Sequence, residues 1–242
     1  MRLDQEPLWS LSLYPQAREG GGSLLGRRRM LVEPSGRRPD PDRSLAEAGR
    51  RARGKIRRYC AANLLNRFGT LTYAGEGCHD PVALRSDLAG FFKRLRSGLD
   101  GGALPYLWVP EWHPGGHGLH AHFAVGRFVP RSLVEEAWGH GFIKMKLLGN
   151  LPVGSGALGE ARVAARYLAK YASKDFGERM AGLHRYEVAQ GFQPASVLCY
   201  GRSADEAIEQ ASGYLGALPE RVWFSSSVEG WRGPPACWAQ WA

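Results

Sequence analysis

From residue 68 onward the spacing of apolar positions changes several times, and each change marks a new element. Phe68-Gly-Thr-Leu-Thr-Tyr73 alternates and carries β-branched and aromatic residues, so a strand is predicted. Asp80 followed by Pro81 reads as an N-cap with proline at the first helical position. Leu84, Leu88, Phe91, Phe92 and Leu95 then recur at helical spacing to about Ser97, the stripe of a core-facing helix. Tyr106–Trp112 and Leu119–Val125 are predicted strands, joined across Pro114, Gly115 and Gly116 as an antiparallel hairpin. Pro130–Trp138 reads as a short helix and Phe142–Leu148 as an alternating strand. Gly154–Gly159 leads into a helix of about Glu160–Lys174.

The resulting order, β-α-β-β-α-β-α, is that of a split βαβ unit. It predicts an α+β domain: one antiparallel sheet of ferredoxin-like type backed by helices, with the last helix added after it. Upstream, residues 1–43 are rich in Gly, Pro and Arg and are expected to form a mostly irregular basic arm. Ser44-Leu-Ala-Glu47 has the form of a capping box and predicts a helix running to about Asn66. Downstream, Trp223, Trp231, Trp238 and Trp241 lie among Gly and Pro without a clear period, as in an irregular C-terminal extension covering apolar surface. The expected division is therefore 1–58 (arm and helix), 59–200 (catalytic domain) and 201–242 (extension).

Charge adds a partner to this picture. The net charge is +9 and the pI about 9.6. Residues 1–66 hold most of the excess, with fourteen Lys/Arg against seven Asp/Glu. In the predicted helix Arg50, Arg51, Arg53, Lys55, Arg57 and Arg58 crowd around Ile56, Tyr59, Cys60 and Leu64. Such a face is either simply solvated or set against phosphates; the asymmetry favours nucleic acid as the partner. The four cysteines form no C-x-x-C pair, which argues against a disulfide framework and for a reducing compartment. Cys78-His79 alone is a poor zinc site. No stretch approaches the roughly 18 apolar residues needed to span a membrane, and the N-terminus lacks a signal-peptide pattern. A cytoplasmic protein of a bacterial host is expected.

The chemistry is concentrated in two places. His120 and His122 are two apart on a predicted strand, so both imidazoles project from one face at chelating distance. If the hairpin closes simply, Glu111 or His113 lies beside them. Two neutral imidazoles and a carboxylate suit a divalent ion such as Mn²⁺ or Mg²⁺, with positions left open for phosphate oxygens. Metallo-β-lactamases also use His-x-His but normally follow it with Asp-His, which is missing here. Amidohydrolases need a barrel, for which the remaining residues, about 120, are too few. The second place is the last helix, where Tyr167 and Tyr171 are four apart and share one face. Each has a lysine three residues on, Lys170 and Lys174, able to favour a tyrosine anion or neutralise phosphate. A metal site with cation-backed tyrosines is equipment for attacking a phosphodiester.

Three segments in order resemble the HUH endonuclease superfamily of rolling-circle replication initiators. Phe68-Gly-Thr-Leu-Thr72 resembles its first motif. The stretch from Glu111 through His113 to His120-Ala121-His122 resembles its histidine motif. Tyr167-Leu-Ala-Lys-Tyr171 resembles the third motif in its two-tyrosine form, as in microvirus gene A-type and many plasmid replication proteins. The likeness spans roughly residues 60–200. Ala121 departs from it, being small where the family usually has a bulkier apolar residue, on the side facing away from the metal.

The resemblance implies a metal-dependent nickase. One tyrosine attacks single-stranded or hairpin origin DNA, forming a 5′-phosphotyrosine link and leaving a 3′-OH that primes synthesis. The second tyrosine then cuts the regenerated origin. Motif order speaks against a conjugative relaxase. A two-tyrosine transposase uses the same chemistry, and a catalytically idle origin-binding repressor or a hydrolase of small phosphoesters are the other readings. No G-x-x-x-x-G-K-[ST] is present, so a host helicase is expected to unwind the DNA.

Overall fold

Alternating and 3.6-spaced apolar residues are paired into elements throughout the computed structural model, which describes residues 8–25, 41–147, 156–172, 180, 183–231 and 233–242. In chain order these are β1 (Leu8–Tyr14), β2 (Glu19–Leu25), α1 (Pro41–Ala62), β3 (Arg67–Tyr73), α2 (Pro81–Ser97), β4 (Tyr106–Trp112) and β5 (Leu119–Val125). There follow α3 (Arg131–Trp138), β6 (Gly141–Leu147), α4 (Gly156–Ala172), β7 (Glu187–Val188), β8 (Val197–Gly201), α5 (Ala204–Leu215), β9 (Pro219–Phe224) and β10 (Ala236–Trp241). They divide into two units, residues 39–193 and residues 1–38 with 194–242. The protein is α+β, with two antiparallel five-stranded sheets and five helices among the described residues.

In the unit of residues 39–193 the strand order is β6-β3-β5-β4-β7, and all neighbours are antiparallel. Strands β3 and β4, joined through α2, run parallel with β5 between them, which is a split βαβ arrangement. Period-two alternation sends the two faces of this sheet to different cores. Leu71, Trp108, Ala121 and Phe123 pack on Leu84, Leu88, Phe91, Phe92 and Leu95 of α2 and on Val134 and Trp138 of α3. Phe68, Leu107, Val109 and Ala124 point the other way, onto Ile56, Tyr59 and Cys60 of α1 and Ala164, Ala165 and Leu168 of α4. Helices thus cover both faces. Each fully buried Leu or Phe contributes about 1.5–3 kcal/mol.

Helix α1 starts at Pro41, three residues before the predicted capping box, because proline at the first position forfeits no helical hydrogen bond. It stops at Ala62, short of Asn66. Asn63 turns its side-chain amide onto the Tyr59 and Phe192 carbonyls, and Leu64 takes a left-handed φ of 51°. Leu64 is exposed for that reason, and Leu65 fills the core position instead.

Gly69 shows why a glycine stands inside β3. A Cβ there would strike the Phe123 ring and the Met145 sulfur. Gly69→Ala is expected to destabilise the protein by about 1–3 kcal/mol through overpacking. A urea midpoint that does not fall would contradict this packing.

The unit of residues 1–38 and 194–242 corrects the expectation of an irregular arm and an irregular extension. β1 and β2 form a hairpin, β8 pairs with the far side of β1, and β10 and β9 continue the sheet from β2, giving the order β8-β1-β2-β10-β9. Leu11, Leu13, Cys199, Ala239 and Trp241 close a core with Ala207, Ile208 and Ala211 of α5. Buried Trp241 donates its indole N–H to Ser212 Oγ at 3.1 Å. Ser203 caps α5, its hydroxyl accepting from Glu206 N–H at 3.1 Å. The four cysteines are free and buried. No described helix is long and apolar enough to cross a membrane.

Candidate metal centre and tyrosine pair

The hairpin β4–β5 closes through a tight turn in which His113 N–H donates to the Gly118 carbonyl at 2.8 Å and Gly116 N–H to the His113 carbonyl at 3.0 Å. That closure sets the register: Glu111 faces His120, and Val109 faces His122. Antiparallel partners project to the same side, so the carboxylate and both imidazoles converge. One oxygen, Glu111 Oε2, lies 2.8 Å from His120 Nε2 and 2.7 Å from His122 Nε2. All three residues are buried, at 8%, 8% and 5% relative exposure for Glu111, His120 and His122. Of the two third ligands the spacing allowed, the structure brings in Glu111. His113 is exposed just beyond β4; its Nδ1 accepts from Gly115 N–H at 3.1 Å, and its ring stands 5.5 Å from that of His120.

The donor set fits a divalent ion. One ligand atom from each of Glu111, His120 and His122 lies within 4.8 Å of the others, the one such group among the described residues. Thr70 Oγ1, on the neighbouring strand, is 3.0 Å from His122 Nδ1. With Nδ1–H donated to that hydroxyl, the lone pair of Nε2 is turned toward Glu111, as a metal ligand requires. A buried carboxylate against two neutral imidazoles lacks a full counter-charge, and a divalent cation supplies one.

The tyrosines lie directly over this group. The Tyr171 ring stacks on His122 with centroids 3.8 Å apart and 24° between planes. Phe68 supports the same imidazole at 5.7 Å and meets Tyr167 edge-on at 4.8 Å. The Tyr171 hydroxyl donates to the Tyr167 hydroxyl at 2.9 Å, so residues four apart on a helix bring both oxygens to one place. The Tyr171 hydroxyl is held well above the ordinary tyrosine range by burial first, then by its bond to Tyr167 and the charge of Glu111. Helix α4 is fixed at both ends: Asn66 Nδ2 donates to Glu160 at 2.7 Å, and Arg185 Nη1 donates to the Ala172 carbonyl at 3.1 Å.

The cations are placed differently from the expectation. Lys170 is exposed on the last turn of α4, and Lys174 lies outside the described residues. A lysine that the spacing did not single out, Lys146 of β6, holds its Nζ 5.6 Å from the Tyr167 ring centroid. Thr70 was missed as well. The alternation of β3 and β6 carries both residues in the sequence, but only the pairing of β3 with both β5 and β6 brings them to this face.

The remaining histidines stand apart from the triad. His117 Nε2 is 3.1 Å from the Tyr73 carbonyl, and His140 Nε2 is 3.7 Å from Asp87. Cys78 Sγ is directed to the Asp80 carbonyl and His79 to the Glu76 carbonyl, so the pair does not act as one ligand set. On α1, Arg50, Arg51, Arg53 and Lys55 are exposed and Arg57 and Arg58 half-buried. Arg51 and Lys55 line a cavity of about 480 Å³ with Arg85, Arg185, His184 and Glu187, in which Arg85 Nε lies 2.7 Å from Glu187. Positive groups outnumber negative ones there.

No curated protein and no solved structure matches the chain significantly. Residues 66–176, which hold the triad, Thr70 and both tyrosines, match a family model described as Replication-associated protein, of the ORF2 type, and this match supports a role in initiating replication.

Proposed function

We propose that the protein is a rolling-circle replication initiator of the HUH endonuclease type that nicks and rejoins single-stranded origin DNA. The observation that carries this reading is the stack of Tyr171 on His122, with the Tyr167 hydroxyl 2.9 Å from its own, above the Glu111–His120–His122 group. A divalent ion, Mn²⁺ or Mg²⁺, held by those three side chains would polarise the scissile phosphate. The Tyr171 oxygen attacks phosphorus; the Tyr–O–P bond forms and the P–O3′ bond breaks. The tyrosine proton is lost, and the leaving oxygen takes up a proton to become the 3′-OH. Tyr167, at the same place, performs the second cut. Lys146, Lys170 and Lys174 are the cations available to phosphate around the pair, Lys146 being the one whose approach is measured. The burial of His122 beneath Tyr171 keeps water from the imidazole face while leaving the hydroxyls at the rim.

The reading is tested by incubating the full-length protein with Mn²⁺ and a randomised pool of 3′-labelled single-stranded oligonucleotides. A label that stays with the protein through denaturing electrophoresis, and is absent with EDTA, is the expected result. DNA binding without an adduct would point to an idle origin-binding repressor instead.

For non-specific affinity we assign Arg50, Arg51, Arg53, Lys55, Arg57 and Arg58 to phosphate contacts. Substitution, not deletion, is the suitable probe, because α1 also carries Ile56, Tyr59 and Cys60 into the core. Alanine at Arg50, Arg51 and Lys55 together is expected to lower the slope of log affinity against log salt by roughly 2–3, about 0.7–0.9 per lost contact. An unchanged slope would make this face a solvated surface.

A further inference from the structure

We infer that the outer strand β6 is a track for single-stranded DNA, with an unpaired base stacked on Phe142 and backbone phosphates on Lys144 and Lys146. The inference deepens the reading given under Proposed function. The register carries it. Phe142 pairs with Thr72, Thr72 with His120, and His120 with Glu111, a single row across four strands. The next row runs Lys144, Thr70, His122, Val109. Paired residues project to the same face, so Phe142 and Lys144 look out beside the candidate metal centre while Ile143 and Met145 point into the opposite core.

Two strand spacings separate β6 from β5, about 10 Å. That is the reach of one to two nucleotides, so the base on Phe142 would be close to the phosphate at the tyrosines. Phe142 is 69% exposed although it lies within a strand. A lone exposed phenylalanine is ordinary. Here it is followed on the same face by two exposed lysines at two-residue spacing, and the second reaches within 5.6 Å of the Tyr167 ring centroid. An aromatic platform with cations at strand spacing is the equipment by which proteins hold single strands. Edge lysines also guard a sheet against pairing with another sheet. That role needs no aromatic residue and makes no demand on base stacking.

The test measures anisotropy of fluorescein-labelled dT20 with the full-length protein in EDTA, so that neither metal nor cleavage enters. Phe142→Ala is expected to weaken binding by about 5- to 100-fold, and Phe142→Trp to restore it to within about threefold. Phe142→Leu should behave like alanine, since leucine keeps the apolar bulk but offers no ring. Lys144→Ala with Lys146→Ala should lower the salt slope by roughly 1.4, about 0.7 for each single-strand phosphate contact. Affinity for a blunt duplex of equal length should not respond to Phe142. Three outcomes would overturn the track: Phe142→Ala binding dT20 within twofold of wild type, equal losses on duplex and single strand, or rescue by leucine. If adducts form but dT20 affinity ignores Phe142, the track is wrong and the nickase stands. If dT20 affinity follows Phe142 but no adduct ever forms, the nickase is wrong and the track stands.

Discussion

Alanine at both His120 and His122 is expected to reduce strand cleavage by at least about 10²–10³-fold, the loss that follows when a charge stabilising the transition state is removed. Single-strand affinity should stay within a few-fold, because phosphate contacts made by arginine and lysine elsewhere dominate it. The geometry gives the reason. Both Nε2 atoms address the same Glu111 oxygen, at 2.8 and 2.7 Å, so removing the imidazoles leaves a buried carboxylate that no longer forms a chelate. Glu111→Ala should weaken Mn²⁺ binding and be partly compensated by high Mn²⁺ concentration, because the histidine pair survives. Thr70→Val, which removes the hydroxyl 3.0 Å from His122 Nδ1, should cost about 10- to 100-fold in metal affinity. Mn²⁺ paramagnetic resonance titration reads these effects independently of cleavage. Near wild-type cleavage in the double alanine variant would remove the metal assignment. Unaltered Mn²⁺ affinity in Glu111→Ala would transfer the third-ligand role to His113.

The series from β3 to α4 could be read from the sequence because each element there carries its own period. The alternation of Tyr106–Trp112 and Leu119–Val125 and the stripe from Leu84 to Leu95 name the buried faces directly, and those faces are the ones that pack. The hairpin register, and with it Glu111 beside His120, follows from a short turn between two clear strands. The sheet of residues 8–25 and 197–241 was not legible, and β2 shows why. Gly20, Gly21 and Gly22 read as a loop, since glycine weakens a strand. In the fold glycine is required there: a Cβ on Gly22 would meet the Ser10 backbone, and one on Gly20 the Leu11 side chain. What makes β2 a strand is pairing on both sides, with β1 next to it in sequence and with β10 more than two hundred residues away. No local pattern records the second partner. The same holds at the candidate site, where Lys146 reaches Tyr167 from a strand whose neighbour is known only once the sheet order is known.

Phenylalanine at both Tyr167 and Tyr171 is expected to eliminate the covalent protein–DNA adduct, since these two hydroxyls are the nucleophiles that the stack on His122 holds over the triad. Each single variant should keep cleavage. The hydroxyls are 2.9 Å apart, so either oxygen can address nearly the same phosphate. Loss of one neutral hydrogen bond, about 1 kcal/mol, corresponds to roughly a fivefold change in rate. We expect Tyr171 to make the initiating cut, because its ring lies against His122 at 3.8 Å whereas Tyr167 is packed one turn back against Phe68. In the metal-free protein burial, the bond to Tyr167 and the charge of Glu111 hold the Tyr171 hydroxyl protonated, so the anion is disfavoured until a cation offsets Glu111. Cleavage by Tyr167→Phe should therefore depend on metal as strictly as in the wild type. Peptide mapping of the trapped adduct identifies the residue used. Label on Tyr167 alone, with Tyr171→Phe active through a complete cycle of cutting and rejoining, would make this a single-tyrosine enzyme and leave the stacked ring of Tyr171 as a cover for His122.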